Sequence, residues 1–256
     1  FKQKTAYEML RSLVGSEMCI RDSSNNVLCN IDLDIEEGEF VTVMGPSGSG
    51  KSTLLYTVSG MDQASSGIVE FDGRSLSSMT RNELTELRLR KMGFIFQQMY
   101  MMKNLCIMDN IILPGYQAGM NKKEVDRRAE ELMRRLEIID TASKELTEVS
   151  GGHLQRACLC RALINSPKII FADEPTGALN SKASGDVMRE LNTANRDGTT
   201  ILMVTHSERV ASFSNRVIYL MDGGIQGELV LGKLEDDEEI TSRERKLHHW
   251  LSELGW

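Results

Sequence analysis

With 256 residues, 41% of them hydrophobic and 26% charged, the chain has an ordinary globular composition and is long enough for one large domain or a core domain with an insertion. Its net charge of −7 and pI near 5.3 argue against nucleic acid as a partner, because no sustained basic face offsets the acidic excess. No apolar run approaches the roughly 18 residues that a membrane-spanning helix needs, so a membrane role would have to come through another chain.

Residues 1–22 do not fit the remainder. They read either as a foreign segment, similar to translated adapter sequence, or as a divergent helix, and they are set aside from fold reasoning. Val27, Cys29, Ile31, Leu33 and Ile35 alternate with mostly polar residues, which predicts a half-buried strand turning at EEGE. EFVTVMG, from Glu39 to Gly45, predicts a buried strand. GPSGSGKST then runs from Gly45 to Thr53, with Gly45, Gly50, Lys51 and Ser52 filling G-x-x-x-x-G-K-[ST]. The glycines let backbone N–H groups turn around an anion, Lys51 brings a point charge to the β/γ-phosphates, and Ser52 offers Mg²⁺ a hydroxyl. STLLYTVSG, closed by Gly60, predicts the helix whose N-terminus completes such a site.

Ile68 to Leu76 predicts strand with a turn at Asp72-Gly73, part of an antiparallel layer flanking the nucleotide, and Arg81 to Met92 a polar helix leading into the strand GFIFQQ. Residues 98–165 then change character. Val125, Ala129, Leu132, Met133, Leu136 and Ile139 lie at helical spacing, and the stretch reads as a helical insertion. Met99, Met101, Met102 and Met108 there are either an adaptable surface for a partner's helix or ordinary packing. From Lys168 an α/β core resumes with strand IIFAD, helix VMRELNTANRD, strand TTILMVT and closing strand VIYLMDGG. The acidic run Glu235 to Glu239 reads as solvated. Leu247, Trp250, Leu251 and Leu254 make a short amphipathic helix with a mixed polar face, expected to dock on the chain's own core rather than on lipid.

Five cysteines include no C-x-x-C, and Cys158 and Cys160 stand two apart on a predicted helix, so their side chains diverge; they read as reduced small hydrophobes. Ser150, Gly151 and Gly152 precede LQRACLCRAL, which places Ser150 as an N-cap and makes a second anion site in the same chain. Asp173 and Glu174 end an apolar strand. There one carboxylate can hold the water shell of Mg²⁺ and the next can orient and deprotonate an attacking water.

In chain order these pieces are the glycine loop, Gln97 in GFIFQQ, VSGGHLQR at 149–156, IIFADEP at 169–175, GALNS at 177–181 and VTH ending at His206. From about residue 27 to about residue 230 this string resembles the nucleotide-binding subunits of ATP-binding-cassette transporters. The resemblance implies an α/β fold: a P-loop NTPase core with a parallel sheet, an antiparallel β-subdomain and a helical insertion. It implies an ATPase domain over 23–230, with core at 23–97 and 166–230 and insertion at 98–165, followed by an acidic linker and amphipathic helix over 231–256.

The same resemblance assigns the site residues. ATP would be held by Gly45, Pro46, Ser47, Gly48, Ser49, Gly50, Lys51, Ser52 and Thr53, and by Ser150, Gly151 and Gly152. Mg²⁺ would be held by Ser52, Gln97 and Asp173. Glu174 would activate water, His206 would contact the γ-phosphate as the switch histidine, and Gln97 would sense the γ-phosphate and the metal. The two anion sites imply a head-to-tail dimer, each ATP lying between the P-loop of one copy and the SGG of a second. An integral-membrane permease is the implied partner, with the chain cytoplasmic and peripheral on the inner face of the plasma membrane.

Two positions depart from the family pattern: His153 stands where Gln is usual, and Asn180 where Asp is usual. The family's first strand carries an adenine-stacking aromatic. Counting back puts that place near Met18, with no aromatic beside it and Tyr7 too far upstream to assign. GPSGSGKST, EPTGALNS and the ending LHHWLSELGW are similar to ATPases of bacterial antimicrobial-peptide exporters and their macrolide-exporter and lipoprotein-release relatives. An ATP-gated regulatory module controlling a cell-envelope enzyme or sensor kinase would need the same residues. A DNA-repair ATPase would need a long coiled-coil insertion, which the sequence lacks.

Overall fold

The computed structural model describes residues 20–22, 25–177 and 179–256. Strands β1 (Ile20–Asp22) and β2 (Asn25–Leu28) pair antiparallel. Apart from Ile20–Asp22, the segment read as foreign, with Tyr7 and the adenine-stacking place near Met18, lies outside the described residues. The strand expected from Val27 to Ile35 is cut short. Asn30 takes a φ of 53°, a left-handed turn that asparagine tolerates, and the turn shifts the inward phase by one residue. Leu28 is therefore buried before it, and Ile31, Leu33 and Ile35 after it, while Cys29 is half-buried.

Strand β3 (Phe40–Met44) is buried along its length and feeds the glycine loop and helix α1 (Lys51–Val58). Strands β4 (Glu70–Phe71) and β5 (Arg74–Ser75) form the expected hairpin, with Asp72 and Gly73 at φ of 56° and 73°. Two positive φ values in a two-residue loop match the right-handed twist of the strands. Helix α2 (Arg81–Lys91) starts with a capping box: the Glu83 carboxylate accepts from Thr80 N and Oγ1, and Thr80 Oγ1 accepts from Glu83 N. Those donors hold the Glu83 carboxyl below its ordinary range.

After β6 (Met92–Ile95) come three long helices, α3 (Ile107–Gln117), α4 (Lys122–Arg135) and α5 (Gly151–Leu163). Asn121 caps α4, and Val125, Ala129, Leu132 and Met133 line its buried face as their spacing predicts. Leu136 is buried too. The last inward residue, however, is Ile138 and not Ile139, because α4 stops at Arg135 and Glu137 turns the chain at a φ of 54°. The remaining elements are β7 (Ile169–Asp173), α6 (Ser181–Arg196), β8 (Thr200–Val204), α7 (Glu208–Ala211), β9 (Arg216–Met221), β10 (Gly224–Val230) and α8 (Ile240–Glu253).

The chain forms two compact units, Phe1–Leu84 with Val204–Trp256, and Thr85–Met203. In the first, β9 lies between β10, its antiparallel neighbour, and β3, which runs parallel with Val41 opposite Arg216 and Met44 opposite Tyr219. Met44, Ala211, Val217 and Tyr219 pack with Leu247 and Leu251 of α8, so the C-terminal helix docks on the chain's own core as its mixed polar face predicts. Arg243 of the same helix, 6% exposed, donates to Ser214 O at 2.6 Å and Gly232 O at 2.8 Å, fastening α8 to the two segments that meet at the open end of the β9–β10 pair.

In the second unit the order is β8-β7-β6, with β6 and β7 parallel and all five residues of both β7 and β8 buried. Continuous apolar strands of this kind belong to parallel sheets covered on both faces. The helices α3, α4 and α5 pack on one another, closely enough at Gly115 that a Cβ there would lie 2.7 Å from Val125. Among the described residues no helix is long and apolar enough to cross a membrane.

Candidate active site

In the first unit the glycine loop connects the end of β3 to the start of α1. Gly45 is required by proximity: a Cβ there would stand 2.0 Å from Leu220 O and 2.7 Å from Ser49 Oγ. Gly50, at a φ of 99°, turns the chain into α1, which has no side-chain cap and no acidic residue in its first turn. By contrast, Cys106, Asn121, Ser150, Asn180 and Ser207 supply side-chain caps to α3 through α7. A helix start left to its backbone N–H groups suits an anion. Lys51 Nζ donates to Gly45 O and Pro46 O, each at 2.8 Å, which ties the ammonium to the loop's own carbonyls. Ser49 is 3% exposed, and its buried Oγ has no hydrogen-bond partner among the described residues.

His206 belongs to the same unit. It does not end a strand as expected, since β8 stops at Val204 and His206 lies two residues on. Thr205 N donates to Val43 O at 3.2 Å, next to the β3 residue that precedes Gly45, and Ser207 N donates to Thr205 Oγ1. Thr205 is fully buried, so it serves as a fixed pivot that presents His206 on the surface.

The second unit holds the other motif residues. Asp173 closes β7 at 5% exposure. Glu174 follows it with a φ of 46°, a left-handed backbone that costs a non-glycine residue about 1–3 kcal/mol. In a continuing strand its side chain would point opposite to that of Asp173; the turn removes that restriction. Gln97 also lies beyond its strand, which ends at Ile95 rather than running through GFIFQQ, and it is exposed. Ser150 is the N-cap of α5, as predicted, with its Oγ accepting from His153 N, and Gly151 is the first helical residue. Asn180 caps α6 by accepting from Ala183 N at 2.9 Å, a task that aspartate and asparagine perform alike.

Two residues not singled out by sequence join these motifs within the unit. Gln155 of α5 donates to Pro175 O at 2.6 Å, one residue beyond Glu174. Arg161, two turns further along α5, donates to Met99 O and Tyr100 O, each at 2.8 Å, and Cys158 Sγ also donates to Met99 O. One helix thus begins at Ser150 and holds the chain just after Glu174 and just after Gln97. Polar Gln155 and Arg161 within the mostly apolar run LQRACLCRAL were the available signal, but their partners lie 20 and 61 residues away in sequence. The methionines divide between the earlier readings: Met102 is 51% exposed beside Tyr100 at 65%, while Met99, Met101 and Met108 are half-buried.

A strand, an uncapped glycine loop and a helix in one unit, and a buried strand-end carboxylate beside a serine-capped helix in the other, define a P-loop ATPase of the cassette type. Residues 28–177 match the family model described as ABC transporter, and the chain belongs to that family. It is 43% identical over 200 residues to the uncharacterized ABC transporter ATP-binding protein YknY of Bacillus subtilis, covering 78% of this chain and 87% of that protein. It is 40% identical over 211 residues to the bacitracin export ATP-binding protein BceA of Halalkalibacterium halodurans, covering 82% and 83%. The structure of the ATP-binding cassette MJ0796, described as a dimeric post-hydrolysis state bound to ADP and Pi, superposes with a TM-score of 0.80 at 37% identity, over 86% of this chain and 98% of that one. The chain is therefore an ABC-type ATPase, as its motif order predicts.

Proposed function

We propose that this chain is the ATP-hydrolysing subunit of an export system, that two copies close head to tail on ATP, and that the cycle drives an integral-membrane permease from the inner face of the plasma membrane. The observation that carries the reading is that one chain holds two different helix starts suited to a phosphate, α1 left uncapped after the glycine loop and α5 begun by the hydroxyl of Ser150. The dimeric, ADP- and Pi-bound state described for MJ0796 supports the paired arrangement. The bacitracin-export description of BceA supports antimicrobial-peptide export as the task. The exposed Tyr100 and Met102 supply an adaptable apolar surface for a permease helix.

In this reading the P-loop residues Gly45 to Thr53 wrap the phosphates, and Ser150, Gly151 and Gly152 of the second copy approach the γ-phosphate. The donors offered to a metal are the Ser52 hydroxyl, the Gln97 amide oxygen and the Asp173 carboxylate. All are hard oxygen ligands, and no cluster of three His, Cys, Asp or Glu occurs among the described residues, so the set fits a magnesium ion that arrives with the phosphates rather than a resident metal. Bound there, Mg²⁺ would neutralise charge on the β- and γ-oxygens. Glu174 accepts the proton of the attacking water, and His206 donates to the γ-phosphate as charge develops. Gln97 reports the occupied state through the Met99–Tyr100 segment to Arg161. The test is Glu174→Gln, which retains ATP binding and blocks water activation. Size-exclusion chromatography with ATP should give a stable dimer; a variant saturated with ATP that stays monomeric would overturn the head-to-tail reading.

A further inference from the structure

Ser150 and His153 hold each other through two contacts. Ser150 Oγ accepts from His153 N at 3.4 Å, and it stands 2.6 Å from His153 Nδ1. The hydroxyl has a single hydrogen, so the second contact decides where that hydrogen points. When Nδ1 is unprotonated it can only accept, and Ser150 directs its hydrogen to the ring, leaving lone pairs facing outward. Phosphate oxygens are acceptors, so a hydroxyl in that state has no bond to give them. When the ring is an imidazolium, Nδ1–H donates to Ser150 Oγ, the hydroxyl hydrogen turns outward, and a positive charge is added at the start of α5. The neutral ring reaches the same donor arrangement only as its Nδ1–H tautomer, and without the charge.

We propose that His153 is a positioning residue that sets the donor direction of the Ser150 hydroxyl, so that protonation of His153 favours ATP-driven assembly. The inference rests on the reading that Ser150 meets a phosphate of the second copy's ATP. Among the described residues, the elements next to His153 carry these charged groups. Arg156 stands one turn along α5 with its Nε on Gly152 O. Glu145 and Glu148 belong to the capped 3-10 turn just before Ser150. Lys182 and Asp186 lie on the first turns of α6, whose Ala183 and preceding Leu179 approach Gly152.

The experiment measures dimer association with Mg-ATP for the full chain carrying Glu174→Gln, at about pH 6 and about pH 8, the interval in which histidine ordinarily changes charge. The same measurement is made after adding His153→Gln or, separately, His153→Asn, which keep a hydrogen-bonding amide but do not titrate. The Glu174→Gln chain should lose about a hundredfold in association from the lower to the higher pH, because the dimer holds two such contacts and each is worth about tenfold, one hydrogen bond to a charged group. Both double variants should lose that part of the slope and keep only the background common to all three chains, and at the higher pH they should dimerise more readily than the chain that keeps His153. Every other residue, and the ATP, is common to all three chains, so the difference isolates His153. An equal slope in all three overturns the His153 inference and leaves the dimer reading standing. Failure of Glu174→Gln to dimerise with ATP at either pH overturns the shared-site reading and this inference with it.

Discussion

Gln155 Nε2 donates to the carbonyl oxygen of Pro175 at 2.6 Å, and Gln155 is 3% exposed. The bond fixes the residue after Glu174 to the helix that begins at Ser150, so the backbone turn at Glu174 is held by a side chain 19 positions earlier in sequence. Gln155→Ala leaves a buried carbonyl without its donor. It should cost about 1–3 kcal/mol of stability, and it should lower ATP turnover more than ATP affinity, because Glu174 loses its fixed position while the P-loop is untouched. Denaturant unfolding and steady-state hydrolysis check the two parts. Equal losses in affinity and turnover would count against a positioning role.

Glu174 keeps its left-handed backbone at a cost that glycine would not bear. Glu174→Gly should therefore leave stability unchanged or raise it by about 1 kcal/mol, while abolishing hydrolysis. Thermal melting beside an ATPase assay tests this. A variant that melts well below the parent would show that the glutamate side chain stabilises the fold.

His206 lies on the surface beyond β8, held by a buried threonine. His206→Ala should leave the melting temperature and ADP affinity unchanged and lower turnover by about 2.7–4 kcal/mol in barrier, roughly a hundredfold or more. Hydrolysis at the parental rate would remove His206 from the γ-phosphate contact.

Burial pushes the Cys158 thiol up to about 11 and the Cys160 thiol higher still, while Cys29 and Cys106 are half-buried. At pH 8 only about one Cys158 in a thousand is thiolate, the reactive form. Timed alkylation with mass spectrometry should label Cys29 and Cys106 well before Cys158 and Cys160, and denaturant should abolish the difference. Early labelling of Cys160 would contradict the packing of α5.

Leu251 is fully buried in the cluster with Met44, Val217 and Tyr219. Leu251→Ala should destabilise the chain by about 2–5 kcal/mol through lost burial and the cavity left behind. A change under about 0.5 kcal/mol, the range of surface substitutions, would show that α8 is dispensable to that core.

The features legible in the sequence were those made by neighbours in the chain. The glycine loop, the Asp72-Gly73 turn, the Ser150 cap and the amphipathic faces of α4 and α8 depend on residue types a few positions apart, where backbone conformation and helical period apply directly. The order of motifs identified the family for the same reason: phosphate handling relies on glycine turns and helix starts, which are local. Tertiary structure decided what depends on residues far apart or on a single backbone turn. Asn30 reversed the phase of an alternating run, and Glu137 moved the last inward residue, beyond the end of α4, to Ile138. Strand β10, whose residues carry no clean apolar alternation, formed because β9 supplied a paired edge. The bonds from Gln155 to Pro175 and from Arg161 to Met99 and Tyr100 arise only when α5 packs beside both segments. Composition names the donors, but which carbonyl each one meets is settled by folding, since a buried polar group takes the partner that packing brings within reach.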